Sequence, residues 1–98
     1  FVDTVRPTGK VVINDGRAAT SSRAVTLKLS ATDPSPGSGI VKMRIKNAGG
    51  YWSSWTRYAE SKDWKITRAA GTKTVYVQYR DAAGNLSAKA SDSITYRP

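Results

Sequence analysis

The stretch Thr72–Leu86, TKTVYVQYRDAAGNL, limits what this chain can fold into more than any other. Val75, Val77 and Tyr79 alternate with Thr74, Tyr76, Gln78 and Arg80. A period of two in β-branched and aromatic residues predicts a half-buried strand. Asp81-Ala82-Ala83-Gly84-Asn85 follows as a hairpin turn. Asp81 can accept backbone hydrogen bonds two residues on, and Gly84 can supply the positive φ such loops need. A strand with one apolar face must be covered by a second layer, so this hairpin is expected at the centre of a β-sandwich.

The rest of the chain repeats the pattern at intervals of about ten residues. Residues 1–9 read as a linker leading in, because Pro7 fixes φ and lacks a donor. Residues 10–98 then form a single domain. Lys10–Ile13 is a short first strand, Asn14-Asp15-Gly16 a turn, and Arg17–Arg23 a polar connection. Ala24–Thr32 is the second strand, with Val25, Leu27 and Leu29 inward. Residues 33–39 are a Pro/Gly/Ser loop. Ile40–Asn47 is the third strand, with Val41, Met43 and Ile45 inward and Lys42, Arg44 and Lys46 outward. Tyr51–Ala59 reads as an irregular fourth strand, because Trp52, Trp55 and Tyr58 recur every three residues and imply a bulge. Asp63–Thr67 is the fifth strand, with Trp64 and Ile66 inward, and Leu86–Tyr96 is the seventh. The expected fold is all-β: a seven-stranded immunoglobulin-like, fibronectin III-like sandwich.

Composition narrows the chemistry. A chain of 98 residues supports one core. It has no histidine and no cysteine. That removes the commonest general base and the usual zinc ligands, and disulfides with them. Ser and Thr are abundant but have no histidine to form an ordinary triad. Glu60 and Asp63 are close in sequence, yet nothing marks them as an acid/base pair. No apolar run approaches a membrane span. The chain opens on Phe1, as a processed product or an excised piece would. A net charge of +9 bears on partners rather than on fold.

Four stretches carry a resemblance. They are Asp3-Thr4-x-x-Pro7-Thr8-Gly9, Ala24-Val25-Thr26-Leu27 with Ala31-Thr32-Asp33 and Gly37-Ser38-Gly39, Trp52-Ser53-x-Trp55-x-x-Tyr58, and the run from Val75 to Asn85. In these the chain resembles the bacterial Ig-like, fibronectin III-like repeat modules of secreted and cell-surface proteins. The resemblance implies a non-catalytic accessory or spacer module, set in tandem beside other domains that are its partners. It implies a secreted or cell-surface location, no enzyme activity and no cofactor. The strong positive charge is not part of that pattern. Asn47-x-Gly49-x-x-Trp52 also resembles the Asp-box hairpin of sialidases, which implies a turn and no catalysis.

Three groups of residues are candidate sites. Tyr51 and Trp55 share a parity with Ser53 and Arg57, so they are the rings expected to be exposed for a sugar. The competing role of the aromatic cluster is packing, since each ring can bury about 150–250 Å². The third strand and the sixth, which is the central stretch from Thr72 to Arg80, should be neighbours. Their outer face would place Lys42, Arg44 and Lys46 beside Tyr76, Gln78 and Arg80, with Tyr76 as a cation–π platform. Such a face could grip an anionic polymer, or it could be a solvated pleat. Polysaccharide or anionic cell-wall polymer is therefore the alternative partner. Nucleic acid ranks last, because no base-reading motif is present. Asp3, Asp33, Asp81 and Asn85 would share one pole of the sandwich as weak calcium candidates. Their ordinary role is turn capping, and no metal site is expected.

Overall fold

The computed structural model describes residues 7–32 and 40–98, except for the side chain of Val41. Among the described residues the chain forms eight strands: β1 (Thr8–Ile13), β2 (Ala19–Thr20), β3 (Ala24–Thr32), β4 (Ile40–Asn47), β5 (Thr56–Arg57), β6 (Ser61–Lys65), β7 (Gly71–Asp81) and β8 (Ala90–Tyr96). They make two sheets, ordered β1-β3-β6 and β2-β8-β7-β4-β5. The protein is an all-β sandwich.

The alternation explains the layers. Val25, Leu27 and Leu29 of β3 face Val75, Val77 and Tyr79 of β7 across one core, joined by Ile13, Met43, Ile45, Ile66 and Ile94. Trp64 pairs with Val25 on the inward side of β6 and is half-buried against that core. Burying one such aliphatic side chain contributes about 1.5–3 kcal/mol, before the entropy of ordering it.

One aromatic pair sets the spacing of the sheets. The Tyr79 ring is fully buried and meets Tyr58 edge-on, with centroids 5.8 Å apart. Its hydroxyl donates to the Lys10 carbonyl at 2.6 Å, and the Tyr58 hydroxyl accepts from the Ala31 amide at 3.2 Å. Gly9 lies against the Tyr79 ring, where a Cβ would overlap it. β1 therefore begins at Thr8, before the expected start at Lys10, because Gly9 must pass directly over that ring.

Three expectations are corrected. Tyr51–Ala59 is not a strand: only Thr56–Arg57 is, because the segment binds the edge of β4 partly through side chains. The connection Arg17–Arg23 contains β2, which runs parallel to the end of β8. The seventh strand begins at Ala90 rather than Leu86, which makes only an isolated bridge to Arg80. Asp81 accepts from the Asn85 amide, four residues on.

The pairing of β4 with β7 skips a position between Ile40 and Lys42. That bulge turns Ile40 toward the core opposite Asp81, while Lys42 faces out opposite Arg80.

The first and last strands leave opposite poles. Lys10 and Gly9, near the start of β1, lie against Tyr79 close to the far end of β7. Tyr96, the last residue of β8, pairs with Gly71 at the start of β7.

Candidate functional site

The outer face of the five-stranded sheet gathers most of the residues singled out by charge and aromaticity. Directly opposed residues of an antiparallel pair share a face. Lys42, Arg44 and Lys46 of β4 sit opposite Arg80, Gln78 and Tyr76 of β7, and Arg57 of β5 sits opposite Lys42. Arg57, Lys42 and Arg80 thus form one rank across three strands, and all three are exposed. Beyond β7 the face continues in hydroxyls, with Thr74 opposite Ser93 and Thr72 opposite Thr95.

The two tryptophans of the irregular segment lie over this face. The Arg44 guanidinium is 4.7 Å from the centre of Trp52 and 4.6 Å from that of Trp55. Lys46 is 5.0 Å from Trp52 and 5.5 Å from Tyr76, and Arg80 is 6.0 Å from Trp55. Arg80, Trp55, Arg44, Trp52, Lys46 and Tyr76 form an alternating series of cations and rings. Each contact of this kind contributes about 0.5–1 kcal/mol at an exposed site. Arg44 also donates from Nε and Nη2 to Gln78 Oε1, at 3.0 and 2.6 Å, which fixes its plane.

The backbone explains why both rings reach this side. Residues 51–55 have no regular secondary structure, so the parity rule of a strand does not apply to them. Ser53 stands in for a strand partner: its amide donates to the Ile45 carbonyl at 2.8 Å, and its Oγ accepts from the Ile45 amide at 3.0 Å. Thr56 Oγ1 donates to the Met43 carbonyl. The edge of β4 is covered this way, which a sheet edge requires if it is not to pair with another chain.

Among the residues proposed from sequence, Lys42, Arg44, Lys46, Tyr76, Arg80 and Trp55 come together here. Tyr51 does not join the series; it projects at 96% exposure. Trp52 and Arg57 belong to the face but were not singled out. The recurrence of Trp52 and Trp55 every third residue was the available signal, and it marked an irregular segment rather than a core strand.

The weak calcium candidates fare differently. Asp3 and Asp33 lie outside the described residues. Asp81 is 1% exposed, and its two carboxylate oxygens accept from the Asn85 amide at 2.8 Å and from Asn85 Nδ2 at 2.9 Å. Asp81 therefore shapes its turn, together with Gly84 at a φ of 94°. Among the described residues no three acidic side chains gather as a metal site would require.

Glu60 and Asp63 are exposed. Glu60 is the one carboxylate lining an open groove of about 640 Å³ beside Tyr58, Lys10 and Lys28. A single exposed carboxylate without a partner lacks the positioned pair that glycoside hydrolysis uses.

No family model matches the chain, and no curated protein matches it. Among solved structures, the chain is similar to the fibronectin(III)-like modules of CbhA from Clostridium thermocellum. The TM-score is 0.72 at 22% identity, over 95% of this chain and 47% of that one. The chain thus spans about half the length of its structural neighbour. The likeness is one of fold.

Proposed function

We propose that the protein is a non-catalytic, fibronectin III-like accessory module that spaces neighbouring domains in a larger secreted or cell-surface bacterial protein. The observation that carries this reading is the exit geometry. β1 starts at one pole and β8 ends at the other, so domains attached before and after it are held apart along the strand axis. β7 runs for 11 residues between those poles, a span of about 35–40 Å. The core clamps both ends, through Gly9 and Tyr79 at one and the pairing of Tyr96 with Gly71 at the other. The structural neighbour supports the tandem aspect, since it is described as modules in the plural and this chain spans 47% of it. The absence of histidine and the isolation of Glu60 support the lack of catalysis.

The chain has no native cysteine, so labels can be placed cleanly. Dyes on cysteines introduced at Thr8 and Arg97 should report a separation of about 35–40 Å by energy transfer, unchanged by moderate denaturant below the unfolding transition. A separation below about 20 Å would place both exits at one pole and remove the basis for a spacer. Turnover of a glycan by the isolated chain would also overturn the reading.

A further inference from the structure

The rank Arg57–Lys42–Arg80 carries a repulsive cost that the contact of Arg80 with Trp55 does not remove. Like charges directly opposite one another on a sheet face destabilise the pairing. Here the central lysine is flanked on both sides by arginines. Among the described residues none of the three has a carboxylate partner, and the one ion pair joins Lys28, on the other sheet, to Asp15 in the turn after β1. At the opposed positions of β4, β5, β7 and β8 this face carries Lys42, Arg44, Lys46, Arg57 and Arg80 and no acid at all. Asp81 and Asp92, the acids on those strands, are both turned away, one into its turn and the other to the Ile13 amide. Local rules of this kind are broken chiefly at functional or strained sites.

The geometry points to this face as a binding site for a linear anionic polysaccharide, with the Arg57–Lys42–Arg80 rank as its centre. Arg44 and Lys46 extend the cations along β4 at about 7 Å intervals, the two-residue repeat of a strand. That gives a row for regularly spaced carboxylates or sulfates rather than a pocket for one ion. Past Lys46 and Tyr76 the face continues in the hydroxyls of Thr72, Thr74, Ser93 and Thr95, which suit sugar hydroxyls. The chemistry favours a polysaccharide over single-stranded nucleic acid, because stacking successive bases needs several free rings, and of the rings in residues 51–55 Tyr51 alone projects free. Trp52 and Trp55 each already contact two cations. The same engagement argues against neutral sugars stacking on those indoles. Carboxylated and sulfated polymers share the required chemistry, and separate probes distinguish them.

The test is calorimetric titration of the 98-residue chain with polygalacturonate, heparin, a neutral dextran and single-stranded polynucleotide, repeated across ionic strength. We expect saturable binding to one or both acidic polysaccharides, falling steeply with salt, and none to dextran. Lys42→Glu should weaken that binding about tenfold or more. The same substitution should raise the melting temperature by about 2–5 °C, because it replaces two repulsions with two attractions. A binding loss accompanied by greater stability cannot be misfolding. A control that lowers the net charge by at least as much on the opposite sheet, Lys10, Lys28 and Lys65 each to Ser, should weaken binding by less than about threefold. No binding to either acidic polysaccharide overturns the proposal. So does equal weakening in the control, or tighter binding to the polynucleotide. The spacer reading is independent of these outcomes, since it rests on the poles and not on this face.

Discussion

At the scale of single residues, Gly9 and Tyr79 are the pair on which the sandwich closes. Glycine is required at position 9 because a methyl group there would enter the Tyr79 ring, and that ring cannot move aside. It is fully buried, edge-on to Tyr58, and tethered to Lys10 by its hydroxyl. Gly9→Ala should therefore destabilise the chain by about 1–3 kcal/mol in denaturant unfolding, the usual cost of overpacking. An unchanged midpoint would mean that the ring yields. Tyr79 also gives the fold an alkaline limit. Burial first, then the neighbouring Tyr58, push its phenol above the ordinary value of 10.0, against a smaller opposing effect of the Ser30 backbone. The folded state keeps a proton that the unfolded state releases, so stability is intact below about pH 10 and falls as pH rises beyond it. Denaturant midpoints measured from pH 8 to about 11 should decline in the native chain more than in Tyr79→Phe. Equal declines would contradict the assignment.

At the scale of elements, the segment from Tyr51 to Arg57 shows what periodicity conveys and what it omits. The strands β3, β4 and β7 were legible because each buries alternate side chains, and Leu27, Ile45 and Val77 are inside as that pattern requires. The bulge before Lys42 was not legible, since register is set by pairing and leaves no local mark. The path of the segment was not legible either. It is held by Ser53 and Thr56 bonding to the edge of β4 and by Trp52 and Trp55 enclosing Arg44, all of which depend on β4 being in place. Parity therefore placed Trp55 outward, and it missed that Trp52 shares its face. If this lock is correct, Ser53→Ala should leave the Ile45 amide with a weaker partner and speed its hydrogen exchange by about tenfold, with little effect at Val77. Exchange that rises uniformly would show global destabilisation instead. Arg44→Ala should expose residues 51–57 to limited proteolysis while the core stays folded, because it removes the cation shared by both indoles.

At the scale of the whole molecule, a thin sandwich 51 Å long and 18 Å deep keeps its two exits far apart and presents two broad faces. Charge total was readable from composition, but its distribution was not. The carboxylate-free rank on the outer sheet arises only once β5 lies beside β4 and β4 beside β7. The poles likewise follow from topology, through the contact of β1 with Tyr79 and the pairing of β8 with Gly71. The direct measurement of the spacer claim is small-angle scattering from two copies of the chain joined head to tail by their own terminal residues. The account predicts that the maximum dimension exceeds that of a single copy by about 35–40 Å, the length of one more β7. A pair no longer than the single copy would mean that the modules fold back side by side, and would contradict it.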